Sequence, residues 1–262
     1  MLTVLIPHQR PNIIHALYGL MHQTYKDFTV VIRDAGEPSP LDATNQLLID
    51  ALVSQGTEVT VIRAMENTGV FRARAELFSR VVDDDHIVWL DSDMVVHPEC
   101  LSVIDENTYS GKVHVGAKLE VYASRVYQDE IHPLGSQYRV GNAKAIRSML
   151  TFPCFFCDMA LCYQPGELLR GLDWDKLASF NQPNLAGEDV ILSGMIRDLL
   201  HREGKDTSFV AHPSIYGFHM ASPVFRWRWE PATDRMVRVT LESWGVDAQI
   251  IDELLPHLKR EA

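Results

Sequence analysis

The stretch Ile87-Val-Trp-Leu-Asp91-Ser-Asp93-Met-Val-Val-His-Pro98 runs an apolar segment straight into two carboxylates one residue apart. At the end of a parallel strand, such a pair stands on the rim of a sheet, where hard cations and phosphates are held. Two carboxylates bind Mg²⁺ or Mn²⁺ jointly with the phosphates of a substrate. Asp-x-Asp alone also describes a plain strand-ending turn, so its company matters. Val31-Ile-Arg-Asp34-Ala-Gly36 puts another acid at the end of an earlier apolar run, in a pattern that also suits an ordinary Asp-x-Gly turn. Asn67-Thr-Gly69-Val-Phe-Arg72-Ala-Arg74 opens a helix with a small-residue turn and two guanidinium groups. Helix amino ends attract anions, and Arg offers phosphate a fork. Gly187-Glu188-Asp189 begins another helix with acids in its first turn, where the helix dipole favours them. Ile215-Tyr-Gly-Phe-His219 sets a histidine after a late apolar run.

The elements that must position these residues alternate in type. Thr3–Ile6, Phe28–Ile32, Val59–Ile62 and Ile87–Leu90 read as strands. Asn12–Gln23, Thr44–Val53 and Val70–Val82 read as helices by the spacing of their apolar residues. Strand and helix in turn over about ninety residues imply right-handed crossovers and a mainly parallel sheet with helices on both faces. In such sheets ligands bind at the carboxyl ends of the strands. After residue 100 the rhythm changes. Residues 111–165 read as strands and loops, with 123–148 a polar, poorly periodic loop. Gly187–Glu203 reads as a helix, Ser208–Ala211 as a late strand, and Asp247–Leu258 as a closing amphipathic helix. Phe225-Arg-Trp-Arg-Trp229 is an aromatic-basic cluster in the tail.

Composition narrows the classes. The 262 residues carry 24 Lys+Arg against 35 Asp+Glu, a net charge of −11, with 46% hydrophobic and 23% charged residues. This is a globular composition, which excludes disordered and low-complexity classes. The acidic balance argues against a protein held on nucleic acid or an anionic membrane by bulk charge, since those partners reward clustered Lys/Arg. Of the four cysteines, Cys154 and Cys157 have C-x-x-C spacing but sit in an apolar run ending at Cys162. That context suits a buried strand with free thiols better than a zinc site. Met1–Pro7 is too short and lacks the basic start of a signal segment or span, so a cytoplasmic location is the expectation.

The order of these pieces resembles a nucleotide-sugar glycosyltransferase of the GT-A fold, closest to family 2. The resemblance runs through Val4-Leu-Ile-Pro7, Gln23-Thr-Tyr25, Arg33-Asp34-Ala-Gly36, Asn67-Thr-Gly69-Val-Phe-Arg-Ala73-Arg74 and Asp91-Ser-Asp93. It continues through Leu172-Asp-Trp-Asp175, Gly187-Glu-Asp189-Val-Ile-Leu and His219. One departure is visible: the family's first acid of Asp-Asp-Gly-Ser is replaced by Arg33, while the second is kept as Asp34. The segment from Phe71 to Asp93 is also similar to the retaining Anp1-like mannosyltransferases, which share the fold.

The resemblance implies an α/β chain of GT-A (Rossmann-like) type: one domain with a central mainly parallel sheet flanked by helices, plus a C-terminal helical segment. Residues 1–220 would form the transferase domain, 1–100 its nucleotide-binding half and 101–220 its acceptor half, with 221–262 a lid or helical extension. It implies a metal-dependent transfer from a nucleotide-diphosphate sugar, a UDP-sugar by preference, with inversion and Asp189 as general base helped by Glu188. The donor would lie against Pro7, His8, Asp34, Asn67, Arg74, Asp91 and Ser92, with Asp34 reading the base. Mn²⁺ or Mg²⁺ would sit on Asp91, Asp93 and His219. The excess of acid at one rim strengthens the expectation of a cation, because bare carboxylates repel a diphosphate. A retaining Anp1-like enzyme using a GDP-sugar is the alternative, as is a nucleotidyltransferase. The latter needs a Gly-rich loop that Pro7-His-Gln-Arg-Pro11 lacks. The acceptor has no readable code; saccharide, lipid-linked, peptide and nucleic-acid acceptors all stay open.

Overall fold

The computed structural model describes residues 1–8, 13–35, 42–64, 68–81, 86–120, 161–180, 187–220 and 231–255; side chains are described throughout except at 117–120, 211, 213, 219, 231, 232 and 234. Strands β1 (Leu2–His8), β2 (Phe28–Asp34), β3 (Glu58–Arg63) and β4 (His86–Leu90) alternate with helices α1 (Ile14–Met21), α2 (Asp42–Ser54) and α3 (Val70–Phe78). Then come β5 (Met94–Val96), α4 (Cys100–Asn107), β6 (His114–Glu120), β7 (Leu161–Pro165), α5 (Gly166–Arg170) and α6 (Trp174–Ser179). The chain continues with α7 (Glu188–Arg202), β8 (Val210–His219), α8 (Pro231–Ser243) and α9 (Ala248–Leu254).

Among the described residues the strands form one eight-stranded sheet, in the order β3-β2-β1-β4-β7-β6-β8-β5. The first four strands are parallel, as the alternation dictates. The second half is mixed: β7 runs antiparallel to β4 and β6, β8 parallel to β6, and β5 antiparallel to β8. Strand side chains point alternately to the two faces. Leu2, Val4 and Ile6 join Phe28, Val30, Ile32, Val88 and Leu90 in a core with α1, α2 and α4. Leu5, Val31, Ile87 and Trp89 join α3, α5, α6, α7 and both C-terminal helices on the other face. Burial on both faces is why these strands read as unbroken apolar runs. In that second core Val237, Leu241, Ile250, Ile251 and Leu254 pack with Val190 and Ile191 of α7. Among the described residues no helix is long and apolar enough to cross a membrane.

The late strand is longer than the stretch Ser208–Ala211 suggested. β8 spans Val210–His219, with a register break where Gly116 faces His212 but Ala117 faces Tyr216. His212-Pro213-Ser214 interrupts the apolar run, and a proline that cannot donate to a ladder is tolerated at such a bulge. Cys100 and Cys162 are buried free thiols, and burial pushes the Cys100 thiol up to about 12, so it packs as an inert small hydrophobe. Cys154, Cys157, the 123–148 loop and the Phe225–Trp229 cluster lie outside the described residues.

Gln23 has a role that its motif did not disclose. It is 1% exposed, and its Nε2 donates to Gly19 O (3.0 Å) and His97 O (2.9 Å), while its Oε1 accepts from Leu101 N (3.0 Å). Thr24 N donates to Pro98 O (2.8 Å), and Tyr25 Oη donates to Asp105 Oδ1 (3.0 Å). The Gln-Thr-Tyr stretch thus ties the end of α1 to the segment that follows Asp93. Gln23→Leu leaves two main-chain groups unmatched in the interior and is expected to cost about 3 kcal/mol of stability, read from urea unfolding.

Across the interior strands β4, β7, β6 and β8, His86 and His114 flank Tyr163, and His212 lies against His114. Tyr163 Oη lies 2.8 Å from His86 Nδ1, and Ser110 Oγ lies 2.8 Å from His114 Nε2. Burial, then the nearby His212 and Lys112, bring the His114 pKa down to about 4. A histidine kept neutral in the fold but protonated when unfolded withdraws stability as pH falls below its unfolded value, until its folded value is reached. The expected loss between pH 7 and 4 is roughly 3 kcal/mol. Unfolding free energies of the parent and His114→Asn across this window should differ in slope, the variant's being shallower.

Candidate active site

The carboxyl ends of β1, β2 and β3 put three residues level with one another: His8 is in register with Asp34, and Asp34 with Arg63. His8 Nε2 lies 3.9 Å from Asp34 Oδ1, and Arg63 Nη1 donates to Asp34 Oδ2. His8 is buried, Asp34 half-buried and Arg63 exposed. A small, shallow cleft lies beside them, with Ile13, Ile32, Ile49 and Val61 as apolar walls and Asn45 of α2 among the polar ones. Arg63 was not anticipated from sequence. Only the strand register reveals that it meets Asp34.

Arg33, which replaces the family's first acid, points to the opposite face. It is 1% exposed, its Nε donates to Glu76, and its Nη2 donates to Thr68 Oγ1 (2.7 Å). The substitution therefore anchors α3 from beneath.

β4 leads into the Asp91-Ser92-Asp93 turn, closed by Met94 N donating to Asp91 O (3.1 Å). Ser92 and Asp93 are each 7% exposed. β5 then pairs with the end of β8, with Met94 opposite His219, and Met220 N donates to Asp93 O (2.8 Å). The backbone of His219 is thereby brought beside the turn, while its side chain is outside the described set. His15 of α1 is also near: burial lowers its pKa, and the charge of Asp93 works against that. Among the described residues no three His, Cys, Asp or Glu side chains converge to hold a metal by themselves. Carboxylates such as those of Asp91 and Asp93 are the kind of oxygen donor that Mg²⁺ or Mn²⁺ takes when substrate phosphates complete the coordination.

The third part of the rim is made by two helix starts. α3 follows Gly69 (φ +84°) and α7 follows Gly187 (φ +89°). Both glycines occupy backbone space that other residues rarely enter, which explains the glycine in each motif. α7 opens with Glu188 and Asp189, and Arg74 Nη2 of α3 reaches to 3.7 Å from Asp189 Oδ1. Arg74 is 2% exposed and its guanidinium lies 5.9 Å from the Trp89 ring centroid. The sequence suggested a guanidinium for phosphate; the structure seats it against Asp189. Pro7 stands at the end of β1, half-buried, next to His8. Asn67 lies outside the described residues.

Parallel strands with acids at their carboxyl ends, extended by a mixed sheet and closed by a helix start bearing an acid pair, define the GT-A class of nucleotide-sugar folds. The chain belongs to glycosyl transferase family 2, which matches residues 4–159. That match takes in Asp34, Arg74, Asp91 and Asp93 and ends before Glu188, Asp189 and His219. Among solved structures, the mannosyltransferase PcManGT of Pyrobaculum calidifontis, in complex with GDP-Man and Mn²⁺, has TM-score 0.63 at 13% identity, covering 100% of this chain and 68% of that one. TarS 1-349 of S. aureus, in complex with UDP-GlcNAc, has TM-score 0.63 at 15% identity, covering 98% and 72%. GalNAc-T7 with UDP, GalNAc and Mn²⁺ has TM-score 0.60 at 13% identity, covering 99% and 55%. At these identities the likeness is one of fold. The chain spans 43% of the length of another S. aureus TarS structure. No curated protein matches the chain by sequence.

Proposed function

We propose that this chain moves a sugar from a nucleotide-diphosphate donor to an acceptor hydroxyl, with a divalent cation and with inversion at the anomeric carbon. The observation that carries the reading is the common rim: the Asp34 cleft, the Asp91–Asp93 turn and Asp189 all lie at the carboxyl ends of one set of strands or on helices that start there. The cleft pairs apolar walls with the Asp34 carboxylate, a combination that suits a planar base with an N–H to donate. Uracil and guanine both offer that group. UDP is the favoured nucleotide and GDP the alternative, and the neighbours' complexes include both kinds of donor.

In the transfer, the acceptor oxygen forms a bond to the anomeric carbon as the bond from that carbon to the diphosphate oxygen breaks. The electron pair leaves with the diphosphate, and the acceptor proton passes to Asp189. Asp91 and Asp93, with His219, would hold Mn²⁺ or Mg²⁺. A cation there offsets the charge that develops on the leaving diphosphate. Two of the rim acids have cationic neighbours, Arg63 for Asp34 and Arg74 for Asp189.

A thermal-shift series with UDP, GDP and CDP, each with and without Mn²⁺, tests the reading. A ligand at a hundred times its Kd adds about 2.7 kcal/mol of stability. One nucleotide should raise the melting temperature strongly with Mn²⁺ and weakly without, and Asp34→Ala should weaken that nucleotide about tenfold, the loss of roughly one hydrogen bond to a charged group. No shift with any nucleotide contradicts the proposal.

A further inference from the structure

We infer that Arg74 is a positioning residue for Asp189, fixing the carboxylate that takes the acceptor proton. The inference rests on the base role proposed above and adds to it the group that aims the base. Arg74 is buried on every side: its side chain is 3% exposed, against 28% for Asp189. A guanidinium does not shed its proton in a protein, so in the interior it requires a counter-charge. Asp189 supplies one at 3.7 Å. The guanidinium is also backed by the Trp89 ring at 5.9 Å. Trp89 is itself fixed, 1% exposed, with Nε1 donating to Gln164 Oε1 at 2.9 Å. The two remaining nitrogens of Arg74, Nε and Nη1, are buried and find no hydrogen-bond partner among the described residues. The group is therefore directed at Asp189 with no comparable anchor elsewhere in the described set.

The two residues come from different helices, each started by a glycine at positive φ. The pair therefore locks α3, which follows the nucleotide-side strand β3, to α7 on the acceptor side. At 3.7 Å the contact is an ion pair longer than a hydrogen bond, so the guanidinium draws Oδ1 toward it by charge, and the proton is assigned to Oδ2. A donor-phosphate role for Arg74 would require this buried guanidinium to turn away from its counter-charge.

The test is nucleoside-diphosphate release from UDP-GlcNAc and from GDP-mannose with Mn²⁺, comparing the parent with Arg74→Lys, Arg74→Met, Asp189→Asn and the Arg74→Met/Asp189→Asn double variant. Positioning predicts that Arg74→Met lowers kcat about a hundredfold, within the span general base catalysis supplies, with donor KM changed less than threefold. In the Asp189→Asn background the same change adds almost nothing, because the group being aimed is gone. Arg74→Lys keeps the charge but not the fork, and should recover about tenfold of the loss. It also carries the test if Arg74→Met does not fold. A rise in donor KM that equals or exceeds the fall in kcat, and persists in the Asp189→Asn background, overturns the inference in favour of donor binding. Turnover abolished by Asp189→Asn yet indifferent to Arg74→Met and Arg74→Lys removes the positioning role alone. Turnover absent from the parent with both donors, or untouched by Asp189→Asn, removes the base reading and the inference with it.

Discussion

Asp93→Asn is expected to lower metal-dependent donor turnover about a thousandfold, equivalent to roughly 4 kcal/mol of transition-state stabilisation. The amide keeps the shape of the side chain but removes its charge and one of its anionic oxygens. The turn should survive, because its supports are main-chain: Met94 N on Asp91 O, and Met220 N on Asp93 O. Asp93 is 7% exposed, so the isosteric amide keeps the packing of the turn. A Mn²⁺ titration separates the two ways of losing activity. If the defect is weak metal binding, excess Mn²⁺ restores part of the rate. An Asp93→Asn protein that turns over donor at the parent's rate contradicts the assignment.

The second large effect is at Asp189. Replacing it with Asn should reduce transfer by about 10²- to 10⁴-fold, the usual span for a lost general base, with nucleotide affinity nearly unchanged. It also leaves Arg74 in the interior facing a neutral amide. Breaking a buried pair costs several kcal/mol when both partners are dry; Asp189 is 28% exposed, so a loss of about 1–2 kcal/mol is expected. NMR of the product's anomeric configuration completes the argument. Inversion agrees with a base at Asp189. Retention, with turnover spared in Asp189→Asn, points instead to the Anp1-like chemistry.

The first half of the fold was legible because parallel strands buried on both faces write unbroken apolar runs. Leu2–His8 and Phe28–Asp34 show this, as do the helices between them at helical spacing. The second half was less legible. β5 has three residues, too few for any period, and β8 is interrupted by His212-Pro213-Ser214. α4 begins at Cys100 and gives too little contrast from its surroundings to be read as a helix. In the site, acids at strand ends announced themselves through position, so Asp34, Asp91 and Asp93 were named from sequence. Their partners were not. Arg63 meets Asp34 through strand register, and Arg74 meets Asp189 across some 115 residues of chain through the docking of two helices. No local pattern carries such pairings. Gln23 shows the converse, a motif recognisable in sequence whose purpose, pinning α1 to the segment after Asp93, needed the packing to explain it.

The central claim is that one rim binds a nucleotide diphosphate through Asp34 at one end and a cation at Asp93 at the other. A crystal structure of the chain with Mn²⁺ and the nucleoside diphosphate that stabilises it tests this most directly. The account predicts the base in the cleft between Asp34 and α2, the metal bound by Asp93 and bridging to the diphosphate, and Asp189 still paired with Arg74 and facing the emptied sugar position. A nucleotide bound elsewhere on the chain, or a metal that touches neither Asp91 nor Asp93, would contradict it.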